Sequence, residues 1–294
     1  TGGHGDERGG GMYIEDSAPI VKNCILEGNS AENGGGAFLD NFTGEFVDNI
    51  VRDNEANSAT NAFTGTLSYN TIGGGIYLFR SDGTVRGNEG SGNRGRTAPG
   101  IYINLGTPRI DGNRIASNSG DGSSGAGIHL DDTDAVIVNN LVLENPIGVY
   151  SATNNQDAVI AHNTISESTS TGVSLRQYST YGGGKFYNNL VVDSGNLDVS
   201  ASTYQTTVLG YYVVWESNDV FGGYNGHYSK YDPTGVDGNL SVGPKLSNDG
   251  LFVLSEDSPV VDMAQSLPNI DVSLDYYGNA RPLTGADMGA VESH

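Results

Sequence analysis

The sequence predicts an all-β protein, a right-handed parallel β-helix built from coils of about 25 residues. Three observations predict this fold. The first is a recurring stretch of small residues followed by an aliphatic, an aromatic and an aliphatic residue, as in GGGIYLF at 73–79. The second is a column of short apolar segments led by Asn, as in NRIASN at 113–118, which keeps step with the first. The third is that no segment shows a sustained helical period.

The repeat is clearest when the chain is aligned on the aliphatic residue that follows the glycines. Its steps are 25, 39, 25, 27, 21 and 24 residues, and its members are Met12, Ala37, Ile76, Ile101, Ile128, Val149 and Val173. The long step holds an insertion at 58–71. Short alternating segments separated by Gly, Asn, Ser and Asp are typical of strands joined by turns. Crossovers between parallel strands are nearly always right-handed, and this sets the expected handedness.

Alternation sorts the side chains into stacked rows. One inward row is expected to contain Val21, Phe46, Val85, Ile110, Ile137, Ile160 and Phe186, and a second Leu26, Val51, Ile115, Val142, Ile165 and Val191. Two polar rows accompany them: Asn49, Asn88, Asn113, Asn140, Asn163 and Asn189, headed by Cys24, and Asn29, Asn54, Asn93, Asn118 and Asn145, continued by Ser168 and Ser194. Because Asn tolerates tight turns and its amide can bond the amide one coil away, we expect internal asparagine ladders.

Residues 1–203 are expected to form the coils, and residues 204–294 the last coils and a C-terminal capping segment of the same domain. An open coil presents unpaired strand edges, so a cap is needed. Coil-like sequence begins by residue 9 with no covering helix ahead of it. We therefore expect earlier coils in a longer chain or a partner at the N-terminal coil, a second copy of this chain included.

The net charge of the chain disfavours two classes of partner, nucleic acids and anionic membranes. The formal net charge is −21 and the pI is near 4.3, so the surface repels nucleic acid phosphates and anionic lipid. No run of 18 apolar residues is present, and no membrane span is expected. The single cysteine, Cys24, permits no intramolecular disulfide.

Packing in the core does not explain one aromatic residue or histidine in each coil. These residues lie between two inward positions, so each is expected to point outward: Tyr13, Phe38, Tyr77, Tyr102, His129 and Tyr150. A stripe of aromatics offers stacking surfaces for sugar rings or a contact face for a protein. The alternative is that cross-strand aromatic pairs simply stabilise the sheet.

Two weaker groups could carry chemistry. His162, Arg176, Tyr178 and Lys185 lie close in sequence or one coil apart and could supply the base of a polysaccharide lyase; the alternative is solvated surface residues. Asp131, Asp132 and Asp134 in DDTD could hold Ca²⁺ with help from carbonyl groups; the alternative is turn chemistry. No other cofactor is expected.

The stretch GGGMYIEDSAPIVKNCILEGNSAENGGGAFLDN (9–41) resembles the repeats of bacterial surface β-helix proteins of the polymorphic outer membrane protein type. The tail, in SNDVFGGYNGHYSKYDPTGVDGNLSVGPKL (217–246), FVLSEDSPVVDMA (252–264) and DYYGNARPLTGADMGAVE (275–292), resembles the C-terminal segment of secreted right-handed β-helix proteins with a choice-of-anchor Q type ending. The resemblance implies an extracellular or cell-surface address and a tail that finishes the solenoid. Asn41 and Asn239 also begin glycosylation sequons.

Two functions follow as hypotheses. The first is an extracellular protein that binds polysaccharide along the aromatic stripe, with processing by a lyase or glycoside hydrolase as an open extension. The second is a structural or adhesive surface protein without catalysis, whose copies associate end to end. A fold does not fix a function, so the site has to decide between them.

Overall fold

The structure is a computed structural model, and it describes residues 2–3, 7–57, 71–120, 125–152, 157–176, 184–202, 213–229, 232–247 and 249–293. All regular structure within these residues is β-strand, and the strands form three eight-stranded parallel sheets. Each coil contributes one strand to each sheet in turn. Among the described residues, no helix is long and apolar enough to span a membrane.

The strands of each sheet stack in the order of the coils. The first sheet contains β1 (Met12–Glu15), β5 (Ala37–Asp40), β9 (Ile76–Phe79), β12 (Ile101–Asn104), β15 (Ala126–Asp131), β18 (Ile147–Ser151), β21 (Thr171–Arg176) and β24 (Leu197–Ser202). The second sheet contains β2 (Ile20–Lys22), β6 (Glu45–Val47), β10 (Thr84–Arg86), β13 (Arg109–Asp111), β16 (Val136–Val138), β19 (Val159–Ala161), β22 (Gly184–Tyr187) and β25 (Val213–Glu216).

The third sheet contains β3 (Ile25–Glu27), β7 (Ile50–Arg52), β11 (Glu89–Ser91), β14 (Arg114–Ala116), β17 (Leu141–Leu143), β20 (Thr164–Ser166), β23 (Leu190–Val192) and β26 (Asp219–Phe221). A short pair, β4 (Ser30–Ala31) and β8 (Glu55–Ala56), extends one corner of the first coils. The predicted parallel solenoid is therefore confirmed. The predicted insertion at 58–71 lies outside the described residues except for Thr71.

The core is the inside of the solenoid, and the predicted inward rows fill it. Residues of one row pair in register from coil to coil, as Ile110 does with Ile137 and Ile137 with Ile160. These three side chains are fully buried. At the far end the row continues into Trp215, whose ring lies 4.9 Å from that of Phe186. Stacking like with like buries each apolar side chain against its neighbour one coil away.

The first asparagine row forms the expected internal ladder. Asn113 Oδ1 accepts hydrogen bonds from the backbone N–H and the side-chain amide of Asn88, both at 2.9 Å. The same two bonds recur at each step, and the ladder runs on past Asn189 to Asn218 and Asn239. Asn239 is buried, and its Nδ2 donates to the carbonyl oxygens of Trp215 and Val236. The sequon at Asn239 is thus closed to a glycan in the folded chain.

The second ladder ends differently. It runs through the asparagines from Asn29 to Asn145 and then reaches the buried Ser168 and Ser194. Asp198 takes over the acceptor role, since its Oδ1 lies 3.1 Å from the backbone nitrogen of Ser194. Asp198 stands opposite Gly172, at a position where earlier coils have glycine. The two short serines leave room for that carboxylate.

The C-terminal segment lies beyond the last coil and along the side of the solenoid. Leu240 pairs with the last coil, because its carbonyl accepts from Val220 and its N–H donates to Asn218. Residues 243–247 and 249–293 then turn back over the outer face of the third sheet. Leu254, Val260 and Met288 pack with Leu190 there, and further along a second cluster joins Phe252, Val253, Tyr276, Ala290 and Val291 to Ala116, Leu141 and Leu143.

Candidate functional site

The predicted aromatic column is a continuous stack on the outer face of the first sheet. Its members pair in register across the coils, from Tyr13 with Phe38 to His129 with Tyr150. Neighbouring ring centroids lie 5.8, 4.6, 4.8, 4.9 and 4.3 Å apart along Tyr13, Phe38, Tyr77, Tyr102, His129 and Tyr150. These separations suit edge-to-face and tilted ring contacts, which stabilise pairs on adjacent strands.

Most of this column is buried, although its rings project away from the solenoid core. Tyr13 is 44% exposed and Tyr77 is half-buried, whereas Phe38, Tyr102 and Tyr150 are 2–6% exposed. Stacked rings cover one another, and Tyr150 also packs on Ala126 and Ile147. The expectation of an open stripe over six coils therefore holds only for the first coils.

A groove opens beside the column at these first coils. Its volume is about 320 Å³, and it is lined by Arg8, Glu32, Asn33, Phe38, Ile72, Tyr77 and Phe79. Phe79 meets Tyr77 edge-on at 6.3 Å, so the two rings form a corner. This places two partly exposed aromatic rings, an amide and two charged groups around one opening.

Arg8 lines the groove, and Arg80 contacts one of its rings. The Arg8 guanidinium lies 5.0 Å from the Phe38 ring centroid and 3.2 Å from Asp40 Oδ2. Arg80 lies over Phe79, 4.7 Å from its ring centroid. Both are cation–π contacts, and Arg8 is also neutralised by a carboxylate. Burial raises the pKa of Asp40, and Arg8 opposes that rise.

A polar row runs parallel to the column, two residues further along each strand. Glu15, Asp40, Phe79, Asn104 and Asp131 pair in register along it. The Tyr102 hydroxyl donates to Asp131 Oδ2 at 2.7 Å, and Asn104 Nδ2 donates to the same oxygen at 3.3 Å.

Both central phenols stay protonated at neutral pH. Burial raises the pKa of Tyr77 to about 12, and the negative charge of Asp131 adds to that rise. Burial raises the pKa of Tyr102 as well, again with a contribution from Asp131. The two hydroxyl groups therefore act as neutral hydrogen-bonding groups rather than as bases.

The three residues predicted as calcium ligands take part in turns and local hydrogen bonds. Asp131 is engaged by Tyr102 and Asn104 as above, Asp132 adopts a left-handed φ of 54°, and the Asp134 N–H donates to the Gly106 carbonyl. Within the described part of the chain, no group of three or more His, Cys, Asp or Glu residues is placed to hold a metal ion.

The predicted base candidates occupy different surroundings. His162 is 2% exposed beneath the C-terminal segment, and burial lowers its pKa well below the usual value, so the ring is neutral. Lys185 Nζ pairs with Asp157 at 2.7 Å on the surface. Arg176 ends β21 in the first sheet, but its side chain and all of Tyr178 lie outside the described residues.

Sequence reasoning did not name Arg8 or Arg80, and it noted Phe79 only as a residue that the core does not explain. Arg8 lies in a glycine-rich start without strand periodicity, and it reaches Phe38 because it pairs with Asn33 one coil away. Phe79 occupies a position where neighbouring coils have Asp or Asn. That break in the polar row was the available signal.

One comparison with known proteins, that with the family models, bears on the fold. The family model described as "Right handed beta helix region" matches residues 60–213, more than half of the 294-residue chain. A solved structure described as "The complex structure of XylC with xylose" is 14% identical over 92% of this chain, with a TM-score of 0.49. The chain spans about half of that protein's length, since it covers 50% of it. No curated protein matches.

Proposed function

The chain belongs to the right-handed β-helix family, and from that premise we propose that it binds an uncharged polysaccharide on the outer face of the first sheet. The observation that carries the proposal is the half-buried Tyr77, which faces a groove of about 320 Å³ between Phe38 and Phe79. The neighbouring Tyr13 adds an exposed ring one coil before Phe38. Tyr13, Tyr77 and Phe79 together form an aromatic platform on the first and third coils, with the 2%-exposed Phe38 packed between them.

Aromatic platforms suit sugars because a pyranose ring has an apolar face that stacks on an aromatic ring, while its hydroxyl groups remain free for hydrogen bonds. The groove supplies partners for those hydroxyl groups. Glu32 offers carboxylate acceptors, Asn33 an amide, and Arg8 guanidinium donors. Stacked coils lie roughly 4.8 Å apart, so a ligand that extends along the solenoid meets similar positions repeatedly.

Electrostatics favour an uncharged glycan. Glu15, Glu32 and Asp40 lie on or beside the platform, and the chain carries a net charge of −21. Arg8 is compensated by Asp40. An anionic polymer would therefore meet repulsion over most of this face.

We propose binding without cleavage, because two of the carboxyl groups on this face are already engaged by neighbouring side chains. A glycosidase needs two carboxyl groups flanking the scissile bond. Asp40 is paired with Arg8, and Asp131 is held by Tyr102 and Asn104. We extend the proposal to an extracellular or cell-surface location, where polysaccharides of this kind occur.

The test is isothermal titration with cellohexaose, xylohexaose and mannohexaose, with hexagalacturonate as the charged comparison. We expect at least one neutral hexasaccharide to bind and Tyr77→Ala to weaken it about ten-fold, since one stacked ring is removed. Tyr224→Ala is the matched control, because Tyr224 is 84% exposed away from the platform. The proposal fails if no neutral sugar binds, or if Tyr77→Ala binds like the wild type.

End-to-end association is the second candidate function. Within the described residues, β1, β2 and β3 each pair on one side only. Ile20 and Ile25 on this first coil are 70% and 53% exposed. Light scattering of the wild type and of Ile20→Lys/Ile25→Lys tests the idea: association that the double variant abolishes supports it, and a monodisperse monomer at high concentration rejects it.

A further inference from the structure

The second ring of the aromatic column is closed to solvent, although the rings on both sides of it are partly open. Phe38 is 2% exposed, whereas Tyr13 one coil before it is 44% exposed and Tyr77 one coil after it is half-buried. All three rings pair in register on the outer face of the first sheet. Their shared register leaves Tyr13 and Tyr77 partly open, so a further group must cover Phe38.

That group is the Arg8 side chain. Its guanidinium lies over the Phe38 ring, 5.0 Å from the centroid, in a cation–π contact. The same guanidinium pairs with Asp40 Oδ2 at 3.2 Å and hydrogen-bonds the Tyr13 hydroxyl group. Arg8 is thus held over Phe38 by a ring of the first coil and a carboxylate of the second.

The backbone at Arg8 is anchored, but its side chain is only weakly held. The Gly9 N–H donates to Asn33 O at 3.0 Å, and the Asn33 N–H donates to Glu7 O at 2.9 Å, which fixes this segment to the next coil. The Arg8 side chain is 46% exposed, and exposed ion pairs contribute little to stability. A ligand can therefore displace the guanidinium without detaching the segment.

We propose that Arg8 is a specificity-determining residue that discriminates between glycans by length, an inference that rests on the proposed binding of neutral polysaccharide. A short glycan lies in the corner between Tyr77 and Phe79 and leaves Arg8 in place. A longer glycan that continues towards Tyr13 has to cross Phe38, and it stacks on that ring only after Arg8 moves. Breaking the contacts of Arg8 offsets the gain from stacking, so affinity rises little with chain length.

The charges around Arg8 favour this role over recognition of an acidic sugar. Asp40 already pairs with the guanidinium, and Glu15 and Asp16 act electrostatically on the same carboxyl group. A carboxylate on the ligand would have to compete with these acidic groups for one arginine. The role that this environment supports is steric, because Arg8 occupies the surface of Phe38 that a sugar ring would use.

The experiment is isothermal titration of the full chain with cello- and xylo-oligosaccharides of two, four and six units. For the wild type, we expect the hexasaccharide to bind less than about three-fold tighter than the disaccharide. In Arg8→Ala, the hexasaccharide should bind about five- to ten-fold tighter than it binds the wild type, because one more aromatic face is free. The disaccharide should bind Arg8→Ala no tighter than the wild type.

Arg52→Ala is the matched control. Arg52 is 44% exposed and pairs with Glu27 at 3.0 Å in the third sheet, so its replacement removes the same charge and a similar ion pair from another face. Asp40→Asn is a second test variant, since it removes the carboxylate that holds Arg8. It should tighten hexasaccharide binding in the same direction and by a smaller factor, and it decides the question should Arg8→Ala fold poorly.

The outcomes separate this inference from the proposed function. If a hexasaccharide binds the wild type and Tyr77→Ala weakens it, but Arg8→Ala does not tighten it, the inference about Arg8 is overturned and the proposed function stands. An equal gain in Arg52→Ala also overturns it. A hexasaccharide that binds Arg8→Ala but not the wild type supports the covering role of Arg8 and rejects binding by the wild type. No binding to either protein overturns both.

Discussion

The rings of Phe38 and Tyr77 lie 4.6 Å apart on adjacent coils, although 39 residues separate them in the chain. The other described steps of the first sheet are 21–27 residues long, and yet this pair keeps the register of the column. The sheet therefore keeps its register across this longer step. That constancy keeps the rings of Tyr13, Phe38 and Tyr77 in one column.

Replacing an interior member of the first asparagine ladder should destabilise the solenoid. In Asn113→Ala, the Asn88 backbone N–H loses its acceptor and the carbonyl of Val85 loses a donor. We expect a loss of about 3 kcal/mol, because each buried polar group left unpaired costs roughly 1–3 kcal/mol. Urea unfolding measures it. Asn225→Ala, at an exposed side-chain bond, is the control and should change stability by less than about 0.5 kcal/mol.

Two glycines in neighbouring coils should respond oppositely to alanine. A Cβ on Gly100 would lie 2.2 Å from the Gly127 carbonyl oxygen, which is backbone and cannot yield, so Gly100→Ala should be strongly destabilising. Gly90 occupies an inward position of β11, where a Cβ would meet only the flexible end of Ile115 at 3.1 Å. Gly90→Ala should therefore gain about 0.5–1 kcal/mol. Thermal melting of the two variants side by side would refute this if both lost stability.

Asp219 should make stability fall as pH rises. Its carboxyl is fully buried, Oδ2 has no partner, and burial raises its pKa to about 7 from 3.8. Between these values the folded protein keeps a proton that the unfolded chain has released. The contribution of this group to the free energy of unfolding is therefore fully present below about pH 4 and is lost between about pH 4 and pH 7. The free energy of unfolding falls there with a slope approaching about 1.4 kcal/mol per pH unit.

Asp219→Asn removes that titration while keeping the acceptor for the Val242 N–H. The variant should be more stable than the wild type at pH 8 and should gain less on acidification. Denaturant midpoints from pH 4 to pH 8 give the comparison. Parallel curves for the two proteins would contradict the assignment.

The buried pair of Arg281 and Glu292 should anchor the C-terminal segment. In Arg281→Met, Glu292 is left buried without its partner, which typically costs about 3–5 kcal/mol. Burial already raises the Glu292 pKa to about 7, and loss of the arginine raises it further. Protonation of Glu292 at low pH removes the buried unpaired charge in Arg281→Met. The loss of unfolding free energy relative to the wild type should therefore be smaller at pH 5 than at pH 8. Arg281→Met/Glu292→Gln should recover much of the loss, and urea unfolding at the two pH values tests both statements.

Sequence periodicity predicts the coils, the inward rows and the first ladder because each depends on contacts that repeat at a fixed interval. It predicts less where a contact occurs once. The second ladder ends at Asp198 only because Ser168 and Ser194 are short, which a row of similar residues does not reveal. The path of the C-terminal segment back along the third sheet depends on single contacts such as that of Arg281 with Asn139.

The aromatic column shows the same limit. Its register and its projection away from the core follow from strand alternation. Its burial does not, because the covering of Tyr102 and Tyr150 depends on how neighbouring rings tilt toward one another. The groove could not be predicted from the sequence either, because Arg8 reaches Phe38 from a segment with no periodic pattern.

The most direct test of the central claim is the crystal structure of the chain soaked with the neutral hexasaccharide that binds most tightly in solution. The account predicts a sugar ring stacked on Tyr77, with hydroxyl groups within hydrogen-bonding distance of Asn33 or Glu32. Sugar density confined to another face of the solenoid, with the groove between Phe38 and Phe79 free of it, would contradict the account.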